Sequence, residues 1–583
     1  MNKFSKKAMA ALVLGLGLLT ACSSNDVPDD GGKVATGSTY MSVAINLATT
    51  GGAGSRADKQ ADTENSENPD YNNVGKWAGQ DKIESIDVYV FKKADGAFEA
   101  HQNFTASQFT VQAPAGDKSV TVTPSKGIKV DPGQKVVYVV VNPTTITQNF
   151  LPKTTVTEFK DKYENIAGTT GNFIELPSVG GAGVTVKTSA GELAKVEGDK
   201  DVITMTVIKA AEVNVEENVS EPTTLQDAKN RAALTVKRAV ARVMVTTTQN
   251  EFEVKGDDPL TPGVKEDIVL GTVSNIRYVV AQGEKSLYFM QNVTTDADLT
   301  YKTPFSAYIP TKNPNDDFIP NYNWADVNKQ YDYSGLWKEY NAAGIGGIVV
   351  PTASLFKQAD AAGTLAAITA DLKAGLKGEF ILPNTHKYGA TQDLSGYRKG
   401  NTAYVLVRAQ FNPKKVVMND GSISQTYPAG KTFYMGANGV FYESVDAARD
   451  ASAGKHGVAG QTAAKYENGK TLYFAWINPD KAKGWINSPV NRNNIYHIEI
   501  SGFKRIGANW NPLVPPVDPN KPNDPNPNNP DPKPKDDKPN DPNEPNDPPV
   551  KPDDPLTPKE TWMSVQTTIL PWNVHSYSVV LDI

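Results

Sequence analysis

The sequence predicts a mostly β protein built of antiparallel sandwiches with helical insertions. Three observations carry this. Runs rich in Val, Ile, Tyr and Thr recur from Ser38 to Phe503, several alternating apolar with polar residues. Gly- and Pro-containing connections separate them, with no regular strand–helix alternation of the kind a parallel α/β sheet needs. Finally, a proline-dense stretch interrupts the chain near its end, and a strand-like segment follows it. The 583 residues suffice for two to four domains at roughly 100–200 residues each.

Lys3, Lys6 and Lys7 precede an apolar run from Ala8 to Leu19. That run is too short to span a bilayer as a helix and has the form of an export signal. It ends at Leu19-Thr20-Ala21-Cys22, a lipobox-like sequence that makes Cys22 the candidate lipidation site. Ser38–Leu47 alternates, with Met41, Val43, Ile45 and Leu47 on one face and Ser42, Ala44 and Asn46 on the other. A Gly-rich loop follows, with Arg56 near its tip, an exposed small-residue segment of the kind proteases nick.

Ile83–Phe91, Ser119–Thr123, Lys135–Asn142 and Val202–Val207 read as strands. Thr155–Ile166 and Thr223–Ala232 read as helices. Leu234–Thr247 reads as one strand, with Arg238 and Arg242 on one face as structural ion-pair residues. Ile268–Val280, Ala403–Phe411, Thr432–Met435, Thr471–Trp476 and Asn494–Phe503 complete the strand set, and Ala353–Leu376 is an inserted helix. Residues Asn511 to Glu560 hold 18 of the 40 prolines, 11 acidic residues and 6 lysines. With almost nothing apolar to bury, this stretch is a spacer, reaching up to roughly 150 Å at ~3.1 Å per residue in extended polyproline II.

Thr561–Ile583 is strand-like again. Trp562-Met563-Ser564-Val565 mirrors Tyr40-Met41-Ser42-Val43, so Met563, Val565 and Ile569 repeat the face of Met41, Val43 and Leu47. One copy precedes a cleavable loop and the other lies beyond a spacer, which predicts that both strands can fill one groove. A strand from a neighbouring molecule adding to an open sheet edge is strand augmentation, and a head-to-tail contact that does not close gives a filament. The competing expectation is that the tail folds back on its own domain.

The net charge of −6 argues against a nucleic-acid scaffold. The single cysteine permits no intrachain disulfide and no thiol site in the body, and the five histidines lack H-x-H or H-E-x-x-H spacing. Gly51–Arg56 lacks the G-K-[ST] ending of a phosphate loop. Asp316-Asp317 and Asp536-Asp537 read as solvated charge, and His497 as a packed histidine. No cofactor is expected.

Longer motifs carry a resemblance: NPDYNNVGKWAGQDKIE from Asn68, VKRAVARVMV from Val236, GEFILPNTHKYGA from Gly378, GNTAYVLVRAQFNPKK from Gly400, SPVNRNNIYHIEI from Ser488, NWNPLVP from Asn509 and ILPWNVHSY from Ile569. Together with Cys22 and the YMSV at Tyr40, they resemble the shaft subunits of short (minor) fimbriae in the Bacteroidales type V fimbrillin family. The resemblance implies outer-membrane lipoprotein export and cleavage by an arginine-specific protease at Arg56, leaving Ala57 first. It also implies two transthyretin-like sandwiches and head-to-tail self-polymerisation by strand exchange. Further implied partners are anchor and tip accessory subunits and host or bacterial surface receptors, with adhesion and biofilm formation as the outcome.

The expected organisation is a signal peptide (1–22), a propeptide with a removable strand (23–56), sandwiches over 57–222 and 223–510, a spacer (511–560) and a donor strand (561–583). The donor residues are Trp562, Met563, Val565, Ile569, Trp572 and Val574. The chain reads as a structural pilin rather than an enzyme; the alternative is a monomeric surface lipoprotein that binds glycan or a host protein.

Overall fold

The computed structural model describes residues 39–47, 81–112, 120–165, 172–180, 184–198, 200–261, 263, 267–293, 301–307, 330–339, 345–352, 378–387, 396–477, 490–509 and, as backbone, 573–581. Cys22, Arg56, Ala57, the expected helix Ala353–Leu376, the spacer, and Trp562, Met563, Val565, Ile569 and Trp572 lie outside these residues. The described residues are mostly β, as the alternation and the β-branched runs predict.

Ten strands form the first sheet: β1 (Thr39–Leu47), β2 (Ser85–Lys92), β3 (Phe98–Thr105), β4 (Phe109–Gln112), β5 (Val120–Pro124), β6 (Ile128–Val130), β7 (Gly133–Val141), β8 (Met205–Val207), β9 (Ala211–Val215) and β10 (Arg231–Arg238). The main order is β3-β2-β7-β8-β10-β1-β5-β4, with β9 beside β7 and β6 beside β1. Helices α1 (Thr145–Phe150) and α2 (Val156–Tyr163) close one side. Phe159 and Tyr163 of α2 join Met41, Val43, Val88, Tyr138, Val139 and Leu234 in one apolar core.

Two expected elements are corrected here. Val202–Val207 is broken at Thr204, whose hydroxyl donates to the Asn142 carbonyl at 2.8 Å and whose N–H donates to the Leu193 carbonyl. The helix expected over Thr223–Ala232 is only α3 (Glu221–Gln226), capped by the Ser220 hydroxyl. Ala228 and Asn230 then take left-handed backbone conformations, φ 58° and 55°, which end the helix and turn the chain into β10.

The second half uses β11 (Ala241–Thr247), β12 (Phe252–Gly256), β13 (Ile268–Ala281), β14 (Ile348–Val349), β15 (Glu379–Ile381), β16 (Tyr404–Pro413), β17 (Lys470–Trp476), β18 (Asn494–Phe503) and β19 (Asn573–Leu581). One sheet is β15-β11-β18-β19; the other is β12-β13-β16-β17, with β14 beside β13. Val243, Val245, Tyr496 and Ile498 from the first share a core with Val273, Val407, Phe411 and Tyr473 from the second, so the sheets face each other. A small five-stranded sheet within 416–466 packs Phe433, Phe441 and Tyr466 onto that core.

The run Leu234–Thr247 is two strands, not one. β10 belongs to the first sheet and β11 to the second half, so the sheets change at Ala239-Val240, both fully buried. Two buried ion pairs flank the change: Arg238 with Asp81, and Arg242 with Asp201 through bonds of 2.7 and 3.0 Å. The ion-pair role expected for both arginines holds, although they lie on different strands.

Candidate functional site: two parallel strand seams

β1 lies inside the first sheet. It runs parallel to β10, with Ser42 opposite Arg231 and Leu47 opposite Val236. On its other edge it runs antiparallel to β6 over Thr39–Met41 and to β5 over Ile45–Leu47. Met41, Val43 and Ile45 are fully buried and Leu47 nearly so, because alternation aims all four at one core.

The opposite face of β1 carries polar pins. The Ser42 hydroxyl donates to the Thr224 carbonyl at 3.1 Å, receives a bond from Arg231 Nε at 3.2 Å and lies 3.2 Å from Thr224 Oγ1. Asn46 Oδ1 accepts from the Thr121 hydroxyl at 2.9 Å. At the strand's start, Thr39 Oγ1 donates to the Val219 carbonyl and accepts from the Val219 N–H. Asn230 donates through Nδ2 to the Tyr40 carbonyl, and its own carbonyl accepts from the Ser42 N–H. α3 and the left-handed turn after it therefore hold one wall of the β1 groove. Sequence reading found the apolar face but missed this polar wall; the one signal for it was a serine among apolar residues.

The second seam lies at the far end of the molecule's chain order. β18 runs parallel to β11, with Arg242 opposite Ile495 and Thr247 opposite Ile500. β19 runs parallel to β18, with Val574 opposite Ile495 and Leu581 opposite Phe503. Part of the C-terminal tail is thus docked on its own chain. Of the expected donor residues, only Val574 lies in this strand.

Two ionisable side chains sit on one face of β18. His497 is buried and bonded through Nε2 to the Thr246 hydroxyl at 2.9 Å; burial pushes its imidazole down to about 3. Glu499 is 4% exposed, and its Oε1 has no hydrogen-bond partner among the described residues. Burial pushes its carboxyl up to about 7. Among the described residues no group of three or more His, Cys, Asp or Glu side chains could hold a metal ion.

Comparison with known proteins follows the same division. Residues 39–227 match the family described as major fimbrial subunit protein (FimA). Residues 464–578 match major fimbrial subunit protein type IV, fimbrillin, C-terminal. The chain is 30% identical over 585 residues to the minor fimbrium subunit Mfa1 of Porphyromonas gingivalis, covering 99% of both chains. A second Mfa1 from the same organism is 29% identical over the same span. The tip fimbrial protein Mfa3 of P. gingivalis, solved with a C-terminal truncation, is 12% identical, covering 46% of this chain and 62% of that one. Its TM-score of 0.21 is too low to carry an argument. Proteins of these families are structural subunits rather than enzymes. With both ends matched and identity sustained over its whole length, the chain belongs to the fimbrillin family of fimbrial subunits.

Proposed function

We propose that this subunit forms a fimbrial shaft on the cell surface by protease-triggered strand exchange. Lipidation at Cys22 carries it to the outer membrane. An arginine-specific protease cuts after Arg56, leaving Ala57 first and freeing β1. The tail, Thr561–Ile583, of a neighbouring subunit then fills the vacated groove, giving a head-to-tail polymer. Anchor and tip subunits join its ends, and the fimbria serves adhesion to host or bacterial surfaces and biofilm formation.

The observation that carries this reading is the placement of β1. Burying four side chains such as Met41, Val43, Ile45 and Leu47 stabilises by on the order of 6–12 kcal/mol, at roughly 1.5–3 kcal/mol each. That is comparable to the whole stability of a domain. An empty groove would also leave both β10 and β5 with unpaired backbone groups, an aggregation hazard. A subunit that loses β1 therefore needs another strand in its place.

The test is deletion of 561–583, read by electron microscopy and by unheated gel ladders in cells that have the protease. Loss of filaments, with a subunit that still resists proteolysis, supports the exchange. Persistent filaments refute it. Arg56→Ala tests the trigger: the precursor folds, keeps β1 and does not polymerise.

A further inference from the structure

We propose that the segment entering the neighbour's groove is Ser578–Ile583, in register with Ser42–Leu47, and that the polar wall of the groove selects this register. The proposal rests on the strand-exchange reading above and narrows a 23-residue tail to six positions.

The two hexads correspond without a gap. Ser42-Val43-Ala44-Ile45-Asn46-Leu47 is matched by Ser578-Val579-Val580-Leu581-Asp582-Ile583. The core positions Val43, Ile45 and Leu47 become Val579, Leu581 and Ile583, all branched aliphatics of similar size. Ser578 brings the same hydroxyl to the position where Ser42 meets Arg231 and Thr224. Asp582 brings a carboxylate oxygen where Asn46 accepts from the Thr121 hydroxyl. The correspondence stops at Met41, whose position falls to Tyr577.

The YMSV-like window at Trp562 fits the groove less well. In that register Thr567 takes the fully buried Ile45 position, within the apolar core. A hydroxyl moved into an apolar site without a partner costs ~1–3 kcal/mol.

The polar pins also decide between slips of the same segment. A one-residue slip turns every apolar side chain to the wrong face. A two-residue slip keeps the alternation but breaks at least one pin. Sliding one way puts Val580 at the Ser42 position, leaving the half-buried Arg231 Nε and the buried Thr224 hydroxyl facing a methyl group. Sliding the other way keeps a hydroxyl, that of Ser576, at the Ser42 position, but it puts Tyr577 in the place of the much smaller Val43 and Val580 against Thr121, whose hydroxyl loses its acceptor. Alternation alone permits all three even registers, and the serine and aspartate single out one.

The same backbone also forms the cis seam. Ser578 pairs with Glu499 and Leu581 with Phe503 in β19·β18, again parallel. β1 is parallel to β10. One strand therefore has two parallel sites, its own β18 and a neighbour's β10, and it can occupy only one at a time.

The experiment uses paired cysteines in the full chain, whose natural cysteine, Cys22, lies in the signal region. Asn46 sits directly opposite Thr121 across β1·β5. Filaments of Thr121→Cys, Asp582→Cys subunits, treated with oxidant, should give disulfide-linked multimers on denaturing gels that collapse on reduction. Thr121→Cys, Thr568→Cys filaments should not. Without cysteines, Asp582→Asn should retain the ladder, while Ser578→Val with Asp582→Leu should reduce it about tenfold or more, as expected when buried donors lose their acceptors.

Cross-linking through Thr568→Cys, or full assembly by the Ser578→Val, Asp582→Leu variant, overturns this register. If neither cysteine pair links while deletion of 561–583 still abolishes filaments, strand exchange stands and this proposal falls. Filaments that survive that deletion remove both.

Discussion

The β10·β1 and β11·β18 seams are built alike, yet only one is proposed to open. Each places a parallel strand beside one half of the Arg231–Thr247 run, and each buries the core face of that strand almost completely. Met41, Val43 and Ile45 are as inaccessible as Tyr496, Ile498 and Ile500. Burial therefore does not distinguish them; attachment does. β1 is joined to the rest of its sheet through residues 48–80, which include Arg56, so one cut turns an intramolecular contact into a bimolecular one. The covalent tether supplies a high effective concentration, and cutting it removes that advantage without altering a single contact. β18 instead lies between β11 and β19 in its sheet.

The comparison is most strongly tested where the two seams meet. Asp201→Ala leaves Arg242 buried at the start of β11 without its carboxylate. Removing one partner of a buried ion pair costs ~3–5 kcal/mol. The expected result is a large drop in chemical-denaturation stability, with β11·β18 amides losing exchange protection before those of β1. Equal loss in both seams would show that they unfold as one unit.

Next in size is a paired truncation. Ile45→Ala should cost about 2–5 kcal/mol in the uncut precursor, where Ile45 is fully buried. On the strand-exchange proposal, it should leave the heat resistance of assembled filaments unchanged, because β1 would no longer be part of them. Ile498→Ala should destabilise precursor and filament alike. An Ile45→Ala filament that falls apart at lower temperature would mean that β1 is never replaced.

The smallest effect concerns pH. The folded pKa of Glu499, about 7, lies above its ordinary value of 4.5. Between those values the unfolded chain ionises while the folded one stays protonated, so this group's contribution to stability falls as pH rises from about 4.5 to 7. His497 acts oppositely: its folded pKa, about 3, lies below 6.5, so its contribution falls as pH drops from 6.5 to 3. Glu499→Gln isolates the first slope. It should stabilise the protein at pH 8 and change nothing at pH 4, as read from denaturation midpoints. A variant that gains nothing at pH 8 would place a neutralising partner at Glu499.

Much of this was legible in the chain itself. The alternation of Met41, Val43, Ile45 and Leu47 named both the strand and the face it buries. Lys135–Asn142, Ala403–Phe411 and Asn494–Phe503 were legible because long β-branched runs leave few alternatives to a strand. The break at Ala239-Val240 was not: VKRAVARVMV has continuous strand propensity, and only the pull of two sheets on its halves divides it. α3 was read too long because its Ala/polar composition continues past Gln226, whereas the left-handed turns at Ala228 and Asn230 are fixed by the groove they line.

The division between sequence and tertiary structure follows the range of the forces involved. Alternation, proline density and the charge of residues 511–560 act between near neighbours, so composition and spacing alone determined a β body and a strand in the tail, and they predict a spacer between the two. Partner choice is long-range. Ser42 meets Thr224 and Arg231 from more than 180 positions away, and β1 enters between β10 and β5. No local pattern encodes such a meeting. It emerges only when burying the apolar face of β1 forces its other face against α3, where each polar group needs a partner.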